Sequence, residues 1–153
     1  MIIWLTGQPG SGKTTLANSI IKEIKLNSND IKIINIDGDD LRSISKNKDY
    51  SKQGRIKNIS NAISIIRFLS NKGFICIVSI VAPYRFLRDE LKSDFPFLEV
   101  YLHTSETRGR EMFFAKDYEK PIGEHIAIDT GRLTIEESRD EILNVYRKMA
   151  TLA

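Results

Sequence analysis

The sequence predicts an α/β fold in which one parallel sheet lies between two layers of helices. Five short apolar runs occur along the chain without polar alternation, as expected for strands buried on both faces. Segments with apolar residues at every third or fourth position separate these runs, which is typical of amphipathic helices. Alternating strands and helices indicate a doubly wound domain. The predicted strands are residues 2–5, 31–36, 74–81, 97–102 and 125–128.

The predicted helices follow from the spacing of their apolar residues. The three stripes are Leu16, Ile20 and Ile24, then Ile56, Ile59, Ile63 and Ile66, and finally Ile135, Ile142, Val145 and Met149. Thr134 with Glu137 three positions later predicts a capping box at the start of the last helix. Residues 27–30 and 43–54 are polar, and we interpret them as loops or short helices.

Composition limits the kinds of function that the chain can have. A length of 153 residues predicts a single domain over residues 1–153. The net charge of +3 is too small for coating a nucleic acid, although it suits a protein that handles small polyanions. The single Cys76 excludes an internal disulfide and a cysteine-rich metal site. The apolar runs are too short to cross a bilayer and no secretion signal precedes them. We expect a cytoplasmic protein with no membrane or nucleic-acid partner.

The strongest chemical signal is the segment GQPGSGKT at residues 7–14, which matches G-x-x-x-x-G-K-[ST] between a predicted strand and a predicted helix. Its glycines let successive backbone N–H groups face one anion at a helix N-terminus. Lys13 is expected to reach the β- and γ-phosphates, and the Thr14 hydroxyl is expected to ligate Mg²⁺. Pro9 excludes a dinucleotide fingerprint, and the alternative is a glycine-rich turn with a chance lysine. The predicted ATP-binding residues here are Gly7, Gly10, Ser11, Gly12, Lys13, Thr14 and Thr15. The fold prediction becomes a three-layer P-loop kinase sandwich with five parallel strands.

Three acidic residues surround a glycine where the second predicted strand ends, in Asp37-Gly38-Asp39-Asp40. Ligands of open α/β sheets bind beyond the carboxyl ends of the strands. Asp37 or Asp39 is therefore a candidate to hold Mg²⁺ through water, or to accept a proton from an attacking hydroxyl. The alternative is a helix N-cap formed by Asp39 and Asp40 ahead of Leu41.

Basic and aromatic residues supply further candidates. Arg42 and Arg55 carry planar guanidinium groups that can grip a phosphate or sulfate with two hydrogen bonds, and Tyr50 offers a flat surface for a base. The lysines between them are interpreted as a solvated face. Arg108 and Arg110 lie in a predicted lid at about residues 105–121, either neutralising phosphate charge or simply exposed. Phe113 and Phe114 are candidates for the core or for covering a base.

These segments resemble the adenylylsulfate kinase family along nearly the whole chain. WLTGQPGSGKTTLA resembles the family's P-loop, and NIDGDDLR is similar to its DGDN-x-R segment. DYSKQGRIKNI resembles the "GFS…R…NI" stretch, VAPYRFLRDEL the "ISP-x-R…R" stretch, and DYEKP the YE-x-P motif. The family phosphorylates the ribose 3′-hydroxyl of adenosine 5′-phosphosulfate with ATP. The resemblance therefore implies a nucleotide 3′-kinase that uses Mg²⁺.

The resemblance also implies roles for single residues. Asp39 matches the acid that draws the proton from the 3′-hydroxyl, and Asp37 lies beside it near the metal and the acceptor. The implied acceptor-binding set is Asp37, Asp39, Arg42, Tyr50, Arg55, Asn58, Pro83 and Phe113, with Tyr50 stacking on the base. Partners are then ATP and a small nucleotide acceptor, and a homodimer is one of the assemblies considered.

Two departures from the family pattern affect the acceptor. The family's Ser before Pro is Ala82 here, and the stretch after the fourth strand is short, without the family's "KGLY…AR-x-G" and "FTG" segments. The phenylalanine of "FTG" completes the base sandwich, so the acceptor base loses this wall unless Phe113 or Phe114 replaces it. A family variant from capsule-building bacteria phosphorylates cytidine 5′-diphosphoramidate, and its smaller base suits a smaller enclosure. We favour this acceptor over adenylylsulfate. Two further classes of function stay open, a small-metabolite P-loop kinase and a nucleotide-sensing module.

Overall fold

A computed structural model describes residues 1–152 of the chain. Its five strands form one all-parallel sheet in the order β2-β3-β1-β4-β5. The strands are β1 (Ile2–Thr6), β2 (Ile33–Asp37), β3 (Ile75–Ser79), β4 (Phe97–His103) and β5 (Ile126–Asp129). The helices are α1 (Lys13–Asn27), α2 (Gly38–Ser45), α3 (Lys52–Asn71), α4 (Arg85–Asp89) and α5 (Ile135–Thr151), with a 3-10 turn at Glu111–Phe113. The predicted α/β fold with five parallel strands is confirmed.

The central strand β1 explains why its sequence is apolar without alternation. Ile2 and Trp4 pack on one face of the sheet with α3, while Ile3 and Leu5 pack on the other face with α1 and α5. All four side chains are fully buried. Because each face is covered by helices, no position of this strand meets water, and a continuous apolar run is what such a strand requires.

The predicted stripes of α1 and α3 are the buried or half-buried faces of those helices. In α5, Ile142 is buried and Val145 and Met149 are half-buried, but the prediction is wrong for Ile135, which lies exposed in the first turn. The N-terminus of α5 is capped as predicted, since the Thr134 hydroxyl accepts a hydrogen bond from the Glu137 backbone N–H at 3.1 Å. The N-terminus of α3 is capped in the same way by Ser51, which accepts from Gly54 N–H at 3.2 Å. The predicted polar segment 43–54 contains the end of α2, a loop and the first turn of α3.

The carboxyl edge of the sheet brings distant segments together. The P-loop follows β1, Asp37 ends β2, residues 80–84 follow β3, the predicted lid segment follows β4, and Thr130 follows β5. Because all strands are parallel, these segments meet above one edge. Among the described residues, no helix combines the length and apolar character needed to span a membrane.

Candidate active site

The P-loop adopts a backbone that its glycines permit. Gly10 and Gly12 have φ angles of 82° and 99°, in the left-handed region where a side chain is strained, and Gly12 is the N-cap of α1. Gly7 is fixed by a close approach instead, because a Cβ there would lie 2.4 Å from the carbonyl oxygen of Leu102. The loop therefore presents its backbone at the N-terminus of α1, which is the arrangement that favours a bound phosphate.

Lys13 folds back over this loop. Its Nζ donates to the carbonyl oxygens of Gly7 and Gln8, each at 2.9 Å, and the residue is buried. Burial lowers the pKa of Lys13 to about 8, and the nearby carboxylates of Asp37 and Asp39 only partly oppose this effect. The cationic form of Lys13 is thus poorly solvated, and an arriving phosphate would favour it.

Asp37 combines two roles in one carboxylate. Its Oδ1 accepts hydrogen bonds from the N–H groups of Asp39 at 2.9 Å and Asp40 at 3.4 Å, which caps α2. Its Oδ2 accepts from the hydroxyls of Thr14 at 2.7 Å and Ser79 at 2.9 Å. The alternative prediction that Asp39 and Asp40 cap the helix is wrong, because α2 begins at Gly38 and both residues lie in its first turn. Asp39 is left free to line the cavity.

One cavity of about 460 Å³ joins the P-loop to the acidic end of β2. Most of the predicted site residues line it: Gly10, Gly12, Lys13, Thr14, Thr15, Asp37, Asp39, Arg42, Tyr50, Arg55, Asn58, Pro83, Arg108, Arg110 and Phe113. Gly7 and Ser11 are not among its lining residues, and both are buried. The Ser11 hydroxyl lies 3.4 Å from Lys13 Nζ, within the loop.

The aromatic rings of Tyr50 and Phe113 both line the cavity. The ring centroids of Tyr50 and Phe113 are 6.2 Å apart and the rings are tilted by 44°. The Arg42 guanidinium lies 4.0 Å from the Tyr50 ring centroid and donates to the carbonyl oxygen of Asp49 at 2.9 Å. Burial lowers the pKa of Arg42, and the neighbouring Arg55 adds to this. Phe113 thus supplies a second aromatic wall in the short lid.

Arg55 and Asn58 line the same cavity as these rings. Arg55 is buried and donates from Nε to the carbonyl oxygen of Tyr50 at 3.0 Å and from Nη2 to that of Phe113 at 3.1 Å. Asn58 is 3% exposed, and its Oδ1 has no hydrogen-bond partner within residues 1–152. Because Asn58 also lines the cavity, this oxygen is free to accept a hydrogen bond from a group that enters it.

The absence of a side chain at Gly54 allows the loop before α3 to pack against the helix. A Cβ at Gly54 would lie 2.2 Å from the carbonyl oxygen of Asp49 and 2.4 Å from its carboxyl carbon. No side chain fits in this space, so the loop that carries Tyr50 packs directly on the helix backbone. The glycine in the segment KQGRIKNI therefore helps to set the position of Tyr50.

The predicted lid residues contact the P-loop. Arg108 donates to the carbonyl oxygens of Gly10 and Thr130, each at 3.0 Å, and forms an ion pair with Glu106. The Arg110 guanidinium lies 5.5 Å from the Phe113 ring centroid. Both arginines line the cavity from the lid side.

Several residues at the site were not among the predicted site residues. Ala82 has a φ of 42°, which is unusual for a residue with a side chain, and its carbonyl oxygen accepts from Arg88 Nη1 at 2.6 Å. Arg88 is fully buried, pairs with Glu99 at 2.8 Å and donates to the carbonyl oxygen of Glu119 at 2.6 Å. Gln8, Ser79 and Thr130 also contact site segments.

This fold and this site define a P-loop kinase: a phosphate-binding loop at the end of β1 faces a carboxylate at the end of β2 across one cavity. Residues 1–130 match the family described as Adenylylsulphate kinase. The chain belongs to this family, and it is an ATP-dependent phosphotransferase. The predicted family is confirmed.

Known relatives agree with this assignment, and a solved structure has the same fold. Cytidine diphosphoramidate kinase of Campylobacter jejuni is 32% identical over 84% of this chain and 77% of its own length. Adenylyl-sulfate kinase of Lactiplantibacillus plantarum is 29% identical over 94% of this chain and 79% of its own length. The crystal structure of APE1195 has a TM-score of 0.84 and 26% identity, covering 97% of this chain and 95% of that one. The chain spans 28% of the length of a probable bifunctional SAT/APS kinase 2 from Sorangium cellulosum, which is a longer protein.

Proposed function

We propose that the protein transfers the γ-phosphoryl group of ATP to the ribose 3′-hydroxyl of a nucleotide that carries an activated 5′ group. One observation carries this proposal: the P-loop, Asp39 and the Tyr50–Phe113 pair line the same cavity. A triphosphate on the P-loop would therefore lie beside a free carboxylate, with the aromatic rings lining the same cavity as candidates to stack on a base.

ATP would bind with its phosphates on the loop from Gly7 to Thr15. Lys13 would leave the carbonyl oxygens that it now contacts and bind the β- and γ-phosphates. Arg108 and Arg110 would cover the nucleotide from the lid, since both line the cavity next to Gly10. We also propose that residues 105–121 form the lid and that residues 1–153 form a single domain.

The residues around Thr14 fit a magnesium ion. The Thr14 hydroxyl and the Asp37 carboxylate are oxygen ligands 2.7 Å apart. No group of three or more His, Cys, Asp or Glu residues that could hold a metal exists among residues 1–152. This agrees with Mg²⁺, which is usually bound by one or two protein oxygens together with substrate phosphates and water. When bound, Mg²⁺ offsets charge on the β- and γ-phosphates. Thr14 would contact it directly and Asp37 through water.

Asp39 would take the proton of the 3′-hydroxyl. The bond between that oxygen and the γ-phosphorus forms while the bond from the γ-phosphorus to the β,γ-bridging oxygen breaks, which leaves ADP. The Asp39 carboxylate has no hydrogen-bond partner among the described residues, so it is available to the acceptor. Arg42, Arg55 and Asn58 would bind the acceptor nucleotide. Positioning and charge stabilisation supply most of the rate in such reactions.

Among acceptors, we favour cytidine 5′-diphosphoramidate, as in capsule-building bacteria. A base stacked between two rings needs about 7 Å, or twice an ordinary contact distance, whereas the Tyr50 and Phe113 centroids are 6.2 Å apart and tilted. Both kinds of base are one atom thick and require the same separation of the rings, but a pyrimidine has the smaller area and needs a smaller aromatic enclosure, which suits the short lid. The Campylobacter jejuni relative is named for this acceptor, but identity does not separate the two acceptors, since an adenylyl-sulfate kinase of Arabidopsis thaliana is 35% identical over 68% of this chain.

Adenylylsulfate is the alternative acceptor. The matched family and the Lactiplantibacillus plantarum relative are named for it. Phe113, whose ring centroid lies 6.2 Å from that of Tyr50, would supply the second wall that the short lid otherwise lacks. A purine could then stack once the rings move apart.

The deciding experiment is an initial-rate assay with ATP, Mg²⁺ and either acceptor, in which the 3′-phosphorylated product is identified by phosphorus NMR. We expect a higher kcat/KM for cytidine diphosphoramidate. A higher value for adenylylsulfate would establish that acceptor instead. Turnover of neither, with no competition by nucleoside 5′-diphosphates, would contradict a nucleotide 3′-kinase and favour the small-metabolite kinase or the nucleotide-sensing module. A homodimer and a cytoplasmic location remain predictions.

A further inference from the structure

Gln8 joins the P-loop to the lid through two hydrogen bonds. Its Nε2 donates to the carbonyl oxygen of Ala115 at 2.9 Å, and the Ala115 N–H donates to its Oε1 at 2.9 Å. The carboxamide thus satisfies both backbone groups of one lid residue, in the way that a neighbouring strand would. Residue 8 is a variable position of the P-loop motif, so phosphate binding alone does not require glutamine there.

Ala115 differs from its neighbours in the lid because it is buried. It is 5% exposed, whereas every other residue from 105 to 117 is exposed. A segment with so little buried surface is positioned by few contacts and opens at low cost. Among the described residues, the hydrogen bonds that tie residues 110–116 to the rest of the site are the Gln8 pair and the bond from Arg55 to the carbonyl oxygen of Phe113. On either side of this stretch, Arg108 donates to Gly10 and Thr130, and Tyr118 shares a hydrogen bond with Thr6.

Gln8 also contacts Lys13 of the P-loop. The backbone carbonyl oxygen of Gln8 accepts from Lys13 Nζ at 2.9 Å and from Ser11 N–H at 3.1 Å. Its backbone therefore belongs to the phosphate cradle while its side chain belongs to the lid contact. A displacement of the lid at Ala115 acts on the residue that lies against Lys13.

We propose that Gln8 is a positioning residue that holds the lid over the γ-phosphate and so keeps water from hydrolysing bound ATP. A closed lid excludes water, which otherwise competes with the acceptor for the phosphoryl group. This inference rests on phosphoryl transfer from ATP, which is part of the proposed function, and not on which nucleotide is the acceptor.

A purely structural role for Gln8 predicts a different outcome. If its hydrogen bonds only stabilised the P-loop, their loss would lower the unfolding midpoint and slow every ATP-dependent reaction together. A positioning role changes the ratio of ATP hydrolysis to phosphoryl transfer, and it changes the exposure of the lid. The test therefore measures these two quantities.

The first test compares Gln8→Met with Gln53→Met. Methionine is close in size to glutamine but makes neither hydrogen bond, and Gln53 is exposed at the start of α3 with no side-chain hydrogen bond to any residue that the structure describes, so it supplies the same substitution without loss of a lid contact. Trypsin cleavage after Arg108, Arg110 and Lys116 reports lid opening in the protein without any acceptor. We expect roughly tenfold faster cleavage in Gln8→Met, since two ordinary hydrogen bonds are lost, and no change in Gln53→Met. The ratio of hydrolysis to transfer should rise by a similar factor at an unchanged unfolding midpoint.

A second variant keeps the test informative if methionine disturbs the loop. In Gln8→Glu the ionised carboxylate still accepts from Ala115 N–H but cannot donate to its carbonyl oxygen, whereas the protonated acid can. Hydrogen exchange of the lid, normalised to unfolded-chain rates, should be faster than wild type near pH 7 and return toward it near pH 4, around the usual glutamic acid pKa. Wild-type cleavage in Gln8→Met, or equal losses in hydrolysis and transfer, would overturn the proposal. Failure of the acceptor assignment alone would leave the cleavage result intact.

Discussion

The Thr14 hydroxyl donates a 2.7 Å hydrogen bond to the Asp37 carboxylate, which joins the first turn of α1 to the N-cap of α2. The contact brings a P-loop oxygen and a carboxylate from the neighbouring segment to the same point. Because Asp37 also caps α2, the position of the predicted metal-binding carboxylate depends on the helix that it starts.

Two substitutions of Asp37 separate its charge from its capping role. Asparagine caps helices about as well as aspartate, so Asp37→Asn should cost well under about 1 kcal/mol of unfolding free energy, whereas Asp37→Ala should cost roughly 1–2 kcal/mol. Both should raise the Mg²⁺ concentration needed for half-maximal activity, since both lack the carboxylate. Urea unfolding and magnesium titration measure these effects. An unchanged Mg²⁺ requirement in both variants would contradict the metal assignment.

The depressed pKa of Lys13 predicts a pH dependence of ATP binding. Burial lowers this pKa to about 8, and the cationic form is the one that binds phosphate. Affinity should therefore be constant below pH 8 and fall by up to about tenfold per pH unit above it, as the free protein loses the proton. Calorimetric titration with ATP from about pH 7 to pH 9.5 measures this. Lys13→Ala should bind weakly with no such slope, and a slope retained in that variant would show that another group is responsible.

Phe113 and its neighbour Phe114 form a matched pair for testing base stacking. Both rings are about equally exposed, but Phe113 lines the cavity opposite Tyr50 and Phe114 does not. Phe113→Ala should raise the KM for the nucleotide acceptor roughly tenfold, the usual effect of losing one stacking ring, and leave the KM for ATP unchanged. Phe114→Ala should behave like wild type in the same steady-state assay. The reverse order would mean that Phe114 covers the base.

The buried pair of Arg88 and Glu99 supports the loop after β3. Arg88→Met should cost roughly 3–5 kcal/mol, because it leaves Glu99 with fewer partners and frees the carbonyl oxygen of Ala82. Lys92→Met should cost less, since Lys92 contacts Glu99 from a partly exposed position. Urea unfolding of both variants gives the comparison. Equal costs would indicate that Arg88 contributes little beyond its charge.

The parts of the structure with local signals were predictable from the sequence. The strands were predicted because burial on both faces leaves an unbroken apolar run, as in β1. The P-loop was predicted because its glycines and Lys13 have fixed spacing. The N-cap at Asp37 was missed because three acidic residues around one glycine offer several equivalent helix starts. Gln8 carried no signal, since the residue that it binds lies 107 positions away.

The burial of charged residues was also hard to predict from the sequence. Glu99 looks like a surface residue in the sequence, and Arg88 is marked there only as the second arginine of the "ISP-x-R…R" resemblance; the structure shows that the two are buried together as an ion pair between α4 and β4. The left-handed backbone of Ala82 has no sequence signal either, because alanine seldom adopts it. Such features depend on contacts between distant segments.

The most direct test of the proposed chemistry is the single-turnover rate of Asp39→Asn with saturating ATP, Mg²⁺ and acceptor. Asparagine keeps the shape of the side chain but cannot accept the 3′-hydroxyl proton as a carboxylate does. We predict that the rate falls by roughly two to four orders of magnitude while the Kd for ATP stays within about twofold of wild type. A wild-type rate in this variant would contradict the assignment of Asp39 as the base.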